Sequence, residues 1–281
     1  MTSQSSDGVV RRSIGDTVAT QATSSPNVDD NAASTAPAVG AKTELKEAYT
    51  QGKRNFEIVS LSSFLLLKAV VLCYLGYHWR MANPIWVLTY MLGGILAADF
   101  LSGVVHWLCD SYGSVNMPVF GKAFIRSFRE HHVDPTAITR HDVIECNADS
   151  CMTMVPVLGF MCYNFALYDD DIIQPRYHLF VLLSWLAFFV AFTNQFHKWS
   201  HTYGEVPKWV EVLQDYHVIL PKKHHKVHHV APHATYFCIT TGWLNHPLEY
   251  IGFWTAIEAG IQLTTGYRAR EDDLSWASKP K

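Results

Sequence analysis

The sequence predicts an all-α integral membrane protein with about four transmembrane helices. Two observations carry this: four apolar runs, each near the roughly 20 residues a helix needs to cross the hydrocarbon, and a charged fraction of only 17% in 281 residues. A third concerns chemistry. Fourteen of the 15 histidines fall between His106 and His246, grouped at the ends of apolar runs.

Residues 1–45 are rich in Ser, Thr, Ala and Asp with few large apolar side chains, so they are expected to form a disordered tail ahead of a membrane domain at 46–281. Arg11 and Arg12 invite a transit-peptide reading, but Asp7, Asp16, Asp29 and Asp30 break the acid-poor pattern of such peptides. No cleaved targeting signal is expected.

The first span is read from Ile58 to Tyr77, the second from Pro84 to Leu108, the third from Cys151 to Tyr168 and the fourth from His178 to Phe196. The third is the weakest, since Pro156 and Gly159 fit a re-entrant segment as well as a span. Lys68 within the first must snorkel or face the bundle. Beyond the fourth, Phe237 to Gln262 mixes Trp243, Leu248, Phe253 and Trp254 with polar residues, and Pro247 is expected to break it. This reads as an interfacial C-terminal helical region, not a fifth span.

Charge orients the set. Lys42, Lys46, Lys53 and Arg54 precede the first span, Lys122, Arg126, Arg129 and Arg140 separate the second from the third, and Lys198, Lys208, Lys222, Lys223 and Lys226 follow the fourth. The other side carries Arg80, Asp169, Asp170, Asp171 and Arg176. By the positive-inside rule the basic side, with both termini and the histidines, is cytoplasmic. The net charge of -3 gives no push toward nucleic acid, and six cysteines without CxxC spacing read as free thiols.

The candidate ligands fall into four segments. His106 and Asp110 are four residues apart at the end of span two; Glu130, His131 and His132 follow; His197 and His201 repeat the four-residue spacing; and His225, His228 and His229 form the last group, with His224 beside them counted as a further metal ligand. Residues three and four apart share a helix face, so these pairs can aim several nitrogens at one point. Imidazole suits iron, zinc, copper and nickel alike, but four segments exceed the three or four ligands that close a zinc site. The reading is a cytoplasmic-face di-metal site, with Asp110, His197, His201, His225, His228 and His229 as its catalytic core. Lone His78, His178 and His246 read as surface or satisfied core residues, and the lysines near His225 also fit a loop that meets anionic headgroups.

The runs Gly103-Val104-Val105-His106-Trp107, Phe128-Arg129-Glu130-His131-His132 with Asp134 to Asp142, HKWSHTY from His197 to Tyr203, and LQDYHVILPKKHHKVHH from Leu213 to His229 resemble the Kua-type lipid desaturase family. The likeness runs from about Phe56 to the C-terminus. It implies an endoplasmic reticulum enzyme that introduces the vinyl ether double bond into 1-O-alkyl-2-acyl-glycerophosphoethanolamine. It also implies a di-iron centre, dioxygen as co-substrate, and electrons from NADH through a cytochrome b-type haem protein and its reductase. The family's essential histidines carry over to His106, His131, His132, His197, His201, His225, His228 and His229, and its acidic residue to Asp110. Broader desaturases have HxxHH at the second box; here Phe128 stands three residues before His131, so either another segment or Asp110 supplies that ligand.

An acyl-chain desaturase of the same family is the nearest rival. A non-enzymatic histidine-rich metal transporter or sensor is the other, although transport sites usually place ionisable groups near the bilayer midplane and these lie at span ends. A zinc protease needs HExxH, which does not occur.

Overall fold

The computed structural model describes residues 50–79, 84–114, 116–118, 121 and 125–270. The expected disordered tail at 1–45 and Arg80 lie outside the described residues, as do Lys122 and the side chains of Arg126 and Glu130. Among the described residues the chain is all helical.

Among the described residues four helices are long and apolar enough to cross a membrane, and the protein is multi-pass. α1 (Gln51–Tyr77) starts at Thr50, whose Oγ1 accepts from Lys53 N–H at 3.2 Å, the usual N-cap bond. α2 (Pro84–Ser111) begins on a proline, which gives up only an N–H that has no helical partner. After the short α3 (Arg126–Val133) and a 3-10 turn at Ala137–Arg140, α4 (Val143–Leu167) is capped by Asp142, which accepts from the N–H groups of Ile144 and Glu145. α4 starts eight residues before the apolar run and continues through Pro156, so the third segment is a helix of full spanning length rather than a re-entrant one. α5 (Asp170–Ile173) and a 3-10 turn lead into α6 (Tyr177–Ser200), forming one membrane-length stretch.

α4 packs on both α1 and α6, and α2 packs on α6, so α6 is the most enclosed of the four. A side chain at Gly94 of α2 would strike the backbone of Leu182 and Leu186, so the two helices approach as closely as small-residue membrane contacts allow. Phe64, Leu158, Met161 and Phe180 fill the centre, while Leu66, Ile85, Trp86 and Phe160 remain exposed on outer faces where lipid would cover them. Lys68 faces inward and donates to Ser184 Oγ at 2.6 Å. His78, at the end of α1, is buried with Nδ1 at 2.6 Å from Asp170 Oδ1, a satisfied core histidine as expected.

At the other end α7 (Lys208–Asp215), α8 (Lys222–Lys226), α9 (Asn245–Tyr250) and α10 (Phe253–Thr265) follow the last span. α9 and α10 are far too short to cross a bilayer. The expected break at Pro247 is not there: Pro247 occupies the first turn of α9, where no helical hydrogen bond is lost, and the chain breaks at Gly252, whose φ of 64° is the left-handed conformation glycine adopts freely. Glu258 of α10 accepts from Trp107 Nε1 at 2.9 Å and pairs with Arg270, which also donates to Ser111 Oγ at 2.6 Å. These bonds hold α10 on the end of α2, beside the histidines.

Candidate metal centre

Nine of the ten predicted ligands come together in two groups. His131, His197, His201, His225 and His229 form one, and His106, Asp110, His132 and His228 the other; within each group the donor atoms lie within 4.8 Å of one another. Adjacent residues on a helix point about 100° apart, so α3 sends His131 into the first group and His132 into the second. α8 and the turn after it divide similarly, with His225 and His229 in the five-histidine group and His228 in the other. The tenth residue, His224, joins neither; its Nε2 meets the Asn245 amide at 3.1 Å and its ring packs on those of His217 and Tyr236.

In the five-histidine group, His197 Nε2 lies 2.8 Å from His225 Nε2 and 3.2 Å from His201 Nε2, and His229 Nε2 lies 3.0 Å from His225 Nε2. Two imidazole nitrogens that face each other need a proton on one and a lone pair on the other. Five that converge cannot all be paired this way, and both nitrogens of the buried His131 have no hydrogen-bond partner among the described residues. A cation resolves the conflict. Burial, then the neighbouring imidazoles, hold His131, His225 and His229 well below the usual histidine range and push His201 down to about 3. They are neutral at pH 7, the form that binds metal.

In the second group the Asp110 carboxylate stands 3.2 Å from His106 Nε2, 3.3 Å from His132 Nε2 and 3.5 Å from His228 Nε2. Bonds of about 2.1 Å from one ion to several donors place those donors roughly 3.0–3.5 Å apart, so the donor set fits a single ion. His106 Nδ1 faces the Phe237 carbonyl at 3.0 Å and His228 Nδ1 the Thr235 carbonyl at 2.7 Å. A carbonyl only accepts, so Nδ1 carries the proton in both rings and Nε2 keeps its lone pair for the ion. Asp110 occupies the fourth corner of this group, while Phe128 lays its ring against His106, with centroids 5.8 Å apart.

Sequence reasoning missed the two carbonyls, which no sequence signal marks. It also missed His233, whose ring lies 4.3 Å from that of His132, and Asp99, whose signal was available as a lone acid inside an apolar span.

The chain is thus a multi-pass membrane protein whose span ends and following segments bring imidazoles, most of them buried, into two groups that could each hold a metal ion. The chain belongs to the lipid desaturase domain family, whose model matches residues 95–272. It is 53% identical over 239 residues to plasmanylethanolamine desaturase 1 of Mus musculus, covering 85% of this chain and 88% of that protein. To plasmanylethanolamine desaturase of Myxococcus xanthus it is 42% identical over 232 residues, covering 82% and 79%. To chloroplastic fatty acid desaturase 4 of Arabidopsis thaliana it is 34% identical over 185 residues, covering 66% and 53%. No solved structure matches the chain.

Proposed function

We propose that this protein is an oxidoreductase that desaturates plasmanylethanolamine, turning the 1-O-alkyl chain into a 1-O-alkenyl chain. The observation that carries the reading is the pair of buried donor groups, found in a chain that shares most of its length with two proteins named for this reaction. Iron bound in the two groups would supply the redox chemistry, in which the alkyl ether, dioxygen, two electrons and two protons yield the vinyl ether and two waters.

The protein's own part is positional. Asp110 and eight histidines converge so that their lone pairs face two points, and the burial of most of them at the mouth of a helical bundle keeps bulk water from the reacting carbons. The carbon beside the ether oxygen has the weaker C–H bond, and it lies just below the headgroup, at the depth of the span ends. His224, close to the groups but outside both, supports the fold around them instead of meeting an ion.

The membrane domain is residues 46–281, set in the endoplasmic reticulum membrane with both termini and the donor groups on the cytoplasmic side. There a cytochrome b-type haem protein and its reductase deliver electrons from NADH. Charge supports this orientation: Lys198 lies in the last turn of the fourth span and Lys208, Lys222, Lys223 and Lys226 follow it on the histidine side, whereas Asp169 to Asp171 lie at the opposite end. Glycosylation acceptors inserted near Asp170 are expected to be modified and those near Glu211 to stay bare. The reverse pattern would invert the topology.

The decisive experiment supplies membranes containing the protein with isotope-labelled alkyl-acyl and diacyl ethanolamine lipids, NADH and the reducing partners. A labelled vinyl ether that needs dioxygen is expected. Unsaturation confined to acyl chains would instead assign the acyl-lipid chemistry named in the chloroplastic relative, and no product from either lipid with metal bound would favour a non-enzymatic role.

A further inference from the structure

Asp99 lies inside α2, is fully buried, and has no role in either donor group. Its Oδ1 accepts from the N–H groups of Thr241 and Gly242, both at 2.8 Å, and its Oδ2 from that of Leu244 at 3.0 Å. All three partners are donors of one backbone turn, so the carboxylate closes a nest that a neutral side chain would satisfy only in part.

The same face of α2 continues toward the metal groups. At 102, three residues on, Ser102 Oγ accepts from Ile239 N–H at 3.1 Å. At 103, a Cβ would come within 2.5 Å of Cys238 Sγ, so only glycine lets the two backbones approach this closely. At 106, the His106 ring meets the Phe237 carbonyl. The segment from Thr235 to Leu244 therefore runs antiparallel along α2, fixed at one end by Asp99 and presenting carbonyls at the other. Asn245 locks it internally, accepting from Cys238 N–H at 2.8 Å and donating to the Cys238 carbonyl at 2.9 Å.

Two carbonyls of this segment orient two rings of one group only: Phe237 holds His106 and Thr235 holds His228. No hydrogen bond from the segment to a ring of the five-histidine group is present among the described residues. We propose that Asp99 is a positioning residue which, through the backbone segment 235–244, sets the tautomer and aim of His106 and His228 and so governs ion binding at the Asp110 group alone. The inference rests on the metal-centre reading above and adds that the two groups are separately adjustable.

The test titrates Fe(II) anaerobically into the full, metal-stripped chain in detergent and follows hydrogen exchange in peptides spanning 235–245. The parent is expected to bind about two ions, and Asp99→Asn to keep one with parental affinity while the other weakens by about 10–100-fold, the range for losing an outer-shell partner. Exchange should rise in the 235–245 peptides and not in α4. Parental affinity for both ions, or equal weakening of both, overturns the proposal. If Asp99→Asn does not fold, Ser102→Ala decides: a smaller weakening of one ion only supports it, and no change overturns it. A parent chain that binds no ion would overturn the metal-centre reading and this role with it, whereas failure of the role alone leaves the parent binding two.

Discussion

Replacing His228 with alanine is expected to lower vinyl ether formation by at least about 100-fold, beyond the usual cost of losing a partner of a ligand, and to reduce bound iron from about two ions per chain to about one. His228 is fully buried, and its Nε2 lies 3.3 Å from His132 Nε2 and 3.5 Å from Asp110 Oδ2. Its removal leaves the carboxylate facing two imidazoles with one corner open to water and strips the Thr235 carbonyl of its donor. Of these contacts only the Asp110 carboxylate belongs to a span, in the last turn of α2, so insertion should be unchanged. His225→Ala should remove the other ion with a similar loss of turnover, since His225 meets both His197 and His229. His246→Ala, on an exposed side chain, is the control. Near-parental turnover in His228→Ala, with two ions still bound, would reject its place as a ligand.

That nine of the ten candidate donors which the sequence singles out converge in space has a physical cause. Metal ligands must share a face, and helical spacing of three or four prints that requirement into the chain at His197 and His201 or His225 and His229. The partition into two groups was not legible, because it depends on which of two adjacent rings, His131 or His132, turns each way, and α3 is oriented by tertiary contacts such as the bond from Arg129 to the Gly113 carbonyl. His224 lies outside both groups for the converse reason. It sits in the same run as true group members, yet its direction on the helix carries it to Asn245. Hydropathy located the spans but placed the start of the third eight residues late, since Val143 to Ser150 is too polar to register and is helical because Asp142 caps it. The proline expected to break the C-terminal region was tolerated by its position in a first turn, a boundary that pattern alone does not resolve.

Acid should dismantle the site well before it disturbs the spans. In an unfolded chain histidine titrates near about 6.5, whereas in the folded protein burial and neighbouring imidazoles hold His131, His225 and His229 far lower and His201 at about 3. Between these values the opened chain binds protons that the closed site refuses. Stability is therefore complete above about pH 6.5 and drains as pH falls toward 3. All four groups act in the same direction, so the loss grows as more of them take up protons. Metal binding has the same sign, because a ligating imidazole must be neutral. Moving the purified protein from pH 7.5 to 5 is thus expected to release most of its iron and expose α3 and the segment from Lys222 to His229 to hydrogen exchange and proteolysis. The apolar contacts among Phe64, Leu158, Met161 and Phe180 contain no titrating group, so the four spans should keep their helicity and protection. Iron content measured after gel filtration at each pH, with exchange in the same samples, checks both halves. Full iron and unchanged protection at pH 5 would mean that the imidazoles are not held neutral by closure of the site, and loss of helicity in the spans at the same pH would mean that the site and the bundle open as one unit.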